Sequence, residues 1–297
     1  MSAPRWSFVV CSIDAGKFAS LTASVGRSAG GDHEIVGIHD ARSLAEGWTR
    51  GLARARADRI VFCHDDIEFF VPDLLGRLDR HLGRHDLVGL AGTRRCVGMD
   101  WSEAGIEHAA GAIVHDADGR PEFCFYGAGD ADHAAGGLQA MDGVLLATHR
   151  DIARSVGFDA DTFDGFHGYD ADFTFRSHGA GWKLAAALDI PVVHRSRGRP
   201  DAARMRYHLR FAGKYADRIV NVRGPWVHVR VPIEVPGGIA AAFDPANLAR
   251  LHRETRAEAA RLEREASRPY AAPRNAPCPC GSGLKYKDCH GRAAGRT

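Results

Sequence analysis

Between residues 7 and 91, short apolar runs alternate with segments of helical spacing, and this alternation narrows the fold more than any other feature. The runs 7–11 (SFVVC), 34–38 (EIVGI), 59–63 (RIVFC) and 87–91 (LVGLA) read as buried strands. Segment 44–57 sets Leu44, Ala45, Trp48, Leu52 and Ala55 at helical spacing. Segment 72–82 puts Leu74, Leu75, Leu78 and Leu82 on one face behind Pro72. Continuous apolar strands are covered on both faces, and strands alternating with helices predict an α/β fold with a mostly parallel sheet flanked by helices. At 297 residues the chain can bury a core without disulfide staples. Seven cysteines, an odd and scattered number, argue against a secreted disulfide framework.

Beyond residue 91 the signal changes. Segment 96–137 is rich in Gly, Ala, His and Asp and reads as loops and short strands. A strand over 141–148, a helix over 150–156 and a loop over 157–169 follow. Next come a helix over 170–178, strands over 182–186 and 190–194, a helix over 207–215 and a strand over 226–235. Asp244-Pro245 is an N-cap with proline at the first helical position. The helix it starts, to about 267, is charged and reads as mostly solvated, and the three prolines of 268–277 predict an extended tether. The expected organisation is an α/β domain over 1–235, a charged helix and tether over 236–277, and a small module over 278–297.

Charge excludes some classes. Lys and Arg number 39 against 37 Asp and Glu, so the chain is no basic nucleic-acid binder by overall charge. Residues 251–297 nevertheless carry ten basic against five acidic side chains. No run approaches the ~18 apolar residues of a transmembrane helix, and the apolar run within 1–10 is too short for a signal peptide. A cytoplasmic protein is expected, with peripheral attachment at the inner membrane left open.

Three groups of residues carry chemistry. Cys63-His64-Asp65-Asp66 directly follows a predicted strand, where α/β proteins place ligands, and adjacent carboxylates invite a hard cation such as Mg²⁺ or Mn²⁺. Asp170 and Asp172 open a predicted helix whose positive end favours ionised carboxylates, either as a general base or as simple caps. His194 closes the apolar strand Pro191-Val-Val-His. Separately, Cys278, Cys280, Cys289 and His290 form a Cys-x-Cys, eight-residue, Cys-His pattern suited to tetrahedral Zn²⁺. That segment is almost without apolar residues, so metal would have to drive its folding.

Segment 275–291 (NAPCPCGSGLKYKDCHG) resembles the SEC-C zinc motif, which ends the SecA translocation ATPase and is appended to many bacterial proteins. The resemblance implies Zn²⁺ on Cys278, Cys280, Cys289 and His290. It also implies an acidic protein partner of the SecB kind, or the ribosome, near the basic Lys285, Lys287 and Arg292.

The body resembles nucleotide-sugar glycosyltransferases of the GT-A fold, family 2 and its relatives, over roughly 7–196. The fit is closer to bacterial glycosyltransferase-like domains, matched here by His39-Asp-Ala-Arg-Ser-Leu44, His64-Asp-Asp66, Asp142-Gly143 and the FDGFHGYD run of 163–170. The resemblance implies a Rossmann-like sheet, a nucleotide-diphosphate sugar donor and an active-site Mg²⁺ or Mn²⁺. It assigns donor contacts to Cys11, Ser12, Asp14, Asp40 and Asp65, metal ligation to Asp66 and His194, and the base to Asp170. Asp142, His167 and Asp172 would face the acceptor, a glycan, lipid-linked or protein hydroxyl. The chain departs from the pattern with Tyr169 in place of Glu and His64 in place of the first Asp of Asp-x-Asp. The expected activity is metal-dependent inverting sugar transfer. The alternative is a non-catalytic GT-A scaffold whose zinc module binds a protein partner. A nucleotidyltransferase fits less well, because Asp14-Ala-Gly-Lys17 is a poor match to its Gly-rich loop.

Overall fold

A computed structural model describes residues 5–116, 119–126, 134–196, 202–219, 229–234, 238–266, 275–276 and 284–288. The chain opens with β1 (Trp6–Cys11), α1 (Ala15–Ser28), β2 (His33–Ile38), α2 (Leu44–Arg54), β3 (Arg59–Cys63), β4 (Ile67–Phe69) and α3 (Leu74–Leu82). It continues with β5 (Leu87–Gly89), β6 (Ala91–Thr93), β7 (Ala109–His115), β8 (Glu122–Tyr126), β9 (Ala134–Leu138), β10 (Ala140–Met141) and β11 (Leu145–His149). It ends with α4 (Arg150–Val156), α5 (Tyr169–Gly179), β12 (Leu184–Ala187), β13 (Val192–His194), α6 (Ala202–Lys214), β14 (Arg230–Pro232), α7 (Gly238–Ala242) and α8 (Pro245–Ala266).

The main sheet has the order β2-β1-β3-β11-β5-β12-β9. β1, β2, β3, β5 and β12 share one direction, and β11 and β9 oppose it. The expected mostly parallel α/β sheet is therefore present. A second sheet, β10-β6-β7-β13-β4, carries β8 on β7 and β14 on β8.

Two runs that read as single strands each divide between the sheets. Segment 87–91 gives β5 to the main sheet and leads into β6 of the second. Segment 141–148 leaves β10 in the second sheet and enters the main one as β11. The junctions lie side by side, with Asp142 N–H donating to Ala91 O at 2.9 Å. Gly111 on β7 allows this approach: its φ is +147°, and a Cβ there would meet Leu90 O and the Ala91 Cα at 2.4 Å. Asp142-Gly143 thus sits on the seam between two sheets.

An aromatic cluster fixes the elements below that seam. Trp48 of α2 packs on Phe62 of β3 (ring centroids 5.1 Å) and edge-on to Tyr169 of α5 (5.0 Å), while Phe158 stacks on Phe173 of α5 (4.4 Å). Such pairs contribute roughly 0.5–1.5 kcal/mol each beyond area burial, and here they fix the start of α5 against the end of β3.

The structure revises the reading of the segment after 235. The first compact unit runs Met1–Ala259 and the second Ala260–Thr297. Phe243, Leu248, Leu251 and Thr255 are buried, and His252 Nε2 lies 3.3 Å from Leu188 O. The first half of α8 therefore packs on the α/β body, where a solvated linker was expected. The expected irregular region 96–137 likewise contains the seven-residue strand β7 as well as β8 and β9. Among the described residues no helix is long and apolar enough to cross a membrane. Cys11, Cys63, Cys96 and Cys124 are free thiols.

Candidate active site

Topology collects the chemistry at one end of the main sheet. β1, β2 and β3 are parallel, so Ser12, His39 and His64-Asp65-Asp66 follow their carboxyl ends together. β11 runs the other way against β3, pairing Leu145 with Cys63, so Asp142-Gly143 arrives at the same end just before it. β13 pairs antiparallel with β4, setting His194 opposite Ile67.

His64, Asp66 and His194 form a cluster whose ligand atoms all lie within 4.8 Å of one another. Asp66 Oδ1 is 3.2 Å from His194 Nε2 and 3.9 Å from His64 Nδ1. Burial pushes the Asp66 carboxyl up, but hydrogen bonding and charge from His194, then His64, outweigh it and hold it well below the usual carboxylate range. Burial and then His194 hold His64 below the usual imidazole range. A carboxylate between two imidazoles is a fitting donor set for a divalent cation. His64 Nε2 is 2.7 Å from the Tyr169 hydroxyl. With Nε2–H donating to that oxygen, Nδ1 presents its lone pair toward Asp66, the outer-partner arrangement of ligating histidines. The two departures in the sequence are thus in contact with each other: Tyr169 holds the His64 ring, which stands beside Asp66 and His194. His115 of β7 stands beside His194 (centroids 5.5 Å), and the Ser196 hydroxyl is 3.1 Å from His194 Nε2.

Asp170 is not the cap of α5. Gly168 is, at φ +78°, where a Cβ would strike the Phe163 ring at 2.7 Å. The Asp170 carboxylate instead reaches across the seam and accepts from Gly143 N–H at 2.7 Å. Residue 143 has to be glycine, because a Cβ there would lie 2.7 Å from both Asp170 Cβ and the Tyr169 hydroxyl. Burial first, and then the Asp142 charge, push the Asp170 carboxyl up to about 7. That value suits a base working near neutral pH. Asp142 accepts from Val144 N–H (2.9 Å) and from the Trp101 indole N–H (3.0 Å). It tunes Asp170 from a fixed position, and Trp101 is a site residue that the sequence did not announce.

Among the expected donor contacts, Ser12 and Asp65 meet, with the Ser12 hydroxyl donating to Asp65 Oδ2 at 2.7 Å. His39 joins them through Ser12 O at 2.8 Å. Three others are turned to structural work. Asp14 caps α1 through Gly16 and Lys17 N–H. Asp40 pairs with Arg50 through both oxygens, at 2.8 and 3.2 Å. The Cys11 sulfur faces α2, 2.4 Å from where a Cβ on Gly47 would be, and burial, then Glu46, push its thiol up to about 12.

On the acceptor side the expectation for Asp172 is corrected. Asp172 is fully buried, and its oxygens are taken by Arg176 (2.9 Å), Lys214 (2.5 Å) and the Tyr215 hydroxyl (2.6 Å). It fastens α5 to α6 and faces no acceptor. His167 lies in the loop leading to α5, its ring 6.0 Å from Tyr207. Arg195 is committed to Asp116 and Glu68. Cys278, Cys280, Cys289 and His290 lie outside the described residues.

Residues 274–292 match the SEC-C motif. There the chain is 86% identical over 21 residues to the protein translocase subunit SecA of Campylobacter concisus, which is 7% of this chain and 2% of that protein. It is 95% identical over 19 residues to SecA of Acinetobacter baylyi, 6% of this chain and 2% of that one. The chain thus spans a small fraction of these curated relatives. Among solved structures, GalNAc-T7 with UDP, GalNAc and Mn²⁺ superposes with a TM-score of 0.51 at 14% identity, covering 73% of this chain and 49% of that one. The mannosyltransferase PcManGT from Pyrobaculum calidifontis in complex with GDP-Man and Mn²⁺ gives 0.47 at 15% identity, over 90% and 81%. The first of these likenesses is one of fold. Residues 7–215, from β1 to the end of the α6 region and well over half of the chain, match the glycosyltransferase-like family, and the chain belongs to it.

Proposed function

We propose that the chain is a metal-dependent inverting glycosyltransferase that moves a sugar from a nucleotide-diphosphate donor to an acceptor hydroxyl. The observation that carries this reading is the Asp170 carboxylate, held on Gly143 N–H, raised toward neutrality and placed at the same sheet end as His64, Asp66 and His194. Two imidazoles and one carboxylate favour Mn²⁺ over Mg²⁺, which prefers oxygen alone. The Mn²⁺ of the superposed GalNAc-T7 supports that choice. When bound, the metal would neutralise the departing diphosphate.

The chain's own residues do the rest. Ser12, His39 and Asp65 follow the carboxyl ends of β1, β2 and β3, where the nucleoside would lie. Asp170 takes the proton of the acceptor hydroxyl as its oxygen bonds to the anomeric carbon. The bond from that carbon to the diphosphate oxygen breaks on the opposite face, giving a single displacement with inversion. Zn²⁺ on Cys278, Cys280, Cys289 and His290 would fold the SEC-C segment as a module for an acidic protein partner or the ribosome. Glycan, lipid-linked and protein hydroxyls are all compatible acceptors.

The test is Asp170→Asn. Sugar transfer should fall by ~10²–10⁴-fold, the range for loss of a general base, while thermal stabilisation by nucleoside diphosphate with Mn²⁺ is kept. Transfer at the wild-type rate would refute the assignment, and the anomeric configuration of the product by NMR decides inversion.

A further inference from the structure

The turn that supports Asp170 is held from outside by a tryptophan. Trp101 opens a single turn of 3₁₀ helix, Trp101–Ala104, and its half-buried ring packs on the apolar core. Its indole N–H donates to Asp142 Oδ2 at 3.0 Å, while Asp142 Oδ1 accepts from Val144 N–H at 2.9 Å. Both oxygens of Asp142 are therefore engaged around Gly143, whose N–H donates to Asp170 at 2.7 Å. The Val144 bond is local and closes the turn on itself. The Trp101 bond ties the turn's carboxylate to a segment 41 residues away. Without it, repulsion from the Asp170 carboxylate would turn Asp142 toward water, and the 142–144 peptides with it.

Trp101 is itself anchored through the residue before it. Asp100 begins the 3₁₀ turn, yet its carboxylate does not cap it. It reaches α6 instead: Arg204 Nη2 is 2.5 Å from Oδ1, and His208 Nε2 is 2.9 Å from Oδ2. Arg204 and His208 are one helical turn apart, so one face of α6 grips both oxygens. Asp100, Glu103 and His208 place ligand atoms within 4.8 Å of one another. The Arg204 guanidinium already stands on Asp100, however, which makes the cluster an ion-pair anchor in place of a cation site. Further along α6, Tyr207 and Arg210 hold Asp164, and Lys214 holds Asp172. The same helix thus fastens the chain before Asp170, the chain after it and the segment that carries Trp101.

We propose that Trp101 is a positioning residue for Asp170, acting through the Asp142 carboxylate on the Gly143 N–H, and that Arg204 and His208 of α6 set its place through Asp100. The catalytic consequence rests on the sugar-transfer reading, while the hydrogen-bond relay belongs to the fold.

The experiment is amide hydrogen exchange of the full chain followed by NMR, with steady-state kinetics beside it. Trp101→Phe keeps an aromatic ring and deletes the donor. The Gly143 N–H should exchange about tenfold faster, while the amides of β11 keep their wild-type rates. With the donor sugar the wild type uses, kcat should fall about tenfold and the KM for that donor should stay unchanged. Arg204→Gln should free the Gly143 amide in the same selective way, and it carries the test if circular dichroism shows Trp101→Phe misfolded. Wild-type exchange at Gly143 overturns the proposal. So does equal acceleration through β11, the mark of a merely structural tryptophan, or selective acceleration with kcat unchanged. A wild-type chain that transfers no sugar refutes the sugar-transfer reading instead, and the exchange rates then decide the relay alone.

Discussion

The Asp170 carboxylate accepts a 2.7 Å hydrogen bond from the backbone N–H of Gly143, across the seam where the chain passes from one sheet to the other. Two segments 27 residues apart are thereby set at van der Waals distance, and only a glycine at 143 leaves room. Gly143→Ala should push Asp170 off the backbone donor. Overpacking of this kind costs about 1–3 kcal/mol, and a small misplacement of a reacting group costs rate on the order of 10²-fold. Thermal unfolding and kcat measured together check it: a large kcat loss with a modest Tm loss is expected.

The pH profile follows from the environment of Asp170. A base works only when deprotonated, so transfer should rise as pH increases through about 7 and level off above it. Asp142 is the second cause of the upward shift, after burial. Asp142→Asn removes a negative charge and should move the rising limb to lower pH. Rate–pH curves of the two proteins give the result, and a limb that stays in place would detach Asp142 from the base.

Tyr169→Phe deletes one oxygen, the one 2.7 Å from His64 Nε2. Loss of such an outer partner typically lowers metal affinity ~10–100-fold. The aromatic packing of Tyr169 on Trp48 survives, so Tm should change little. Mn²⁺ titration of transfer activity reads the affinity directly.

Asp172→Ala should behave in the opposite way. It leaves the Lys214 and Arg176 cations and the Tyr215 hydroxyl without their shared carboxylate. Breaking a buried ion pair from one side costs about 3–5 kcal/mol. Urea unfolding should show that loss, while the variant that remains folded keeps the Mn²⁺ affinity and pH profile of the wild type.

The sequence made much of this legible, and its failures have physical causes. Apolar strands 7–11 and 59–63 read correctly because burial on both faces leaves a nearly continuous apolar run, and 34–38, a partly buried edge strand, is legible from its Ile and Val residues. α1 went unread because its buried stripe is only Leu21 and Val25 with Ser24 and Ser28. β7 went unread because four of the seven residues of AAGAIVH are Ala or Gly, small where β6 pairs with it. Asp66 and His194 are legible in the sequence as polar residues that follow or close apolar strands. His64 reads in the sequence only as a departure from the family pattern, because its partner Tyr169 is 105 residues away. Asp172 looked like its neighbour Asp170 on paper. Two residues along a helix is a turn of about 200°, enough to send one carboxylate to the seam and the other into the core.

The fastening of Asp172 also sets an order on synthesis. Arg176 is made four residues after it, but Lys214 and Tyr215 follow 42 and 43 residues later. At roughly 5–20 residues per second, α5 waits seconds for the groups that let its carboxylate leave water. Until α6 emerges, Asp172 lacks two of its three side-chain partners. The buried carboxylate of α5 is therefore completed by the C-terminal part of the body, although the sheet it packs on begins with the first residues made.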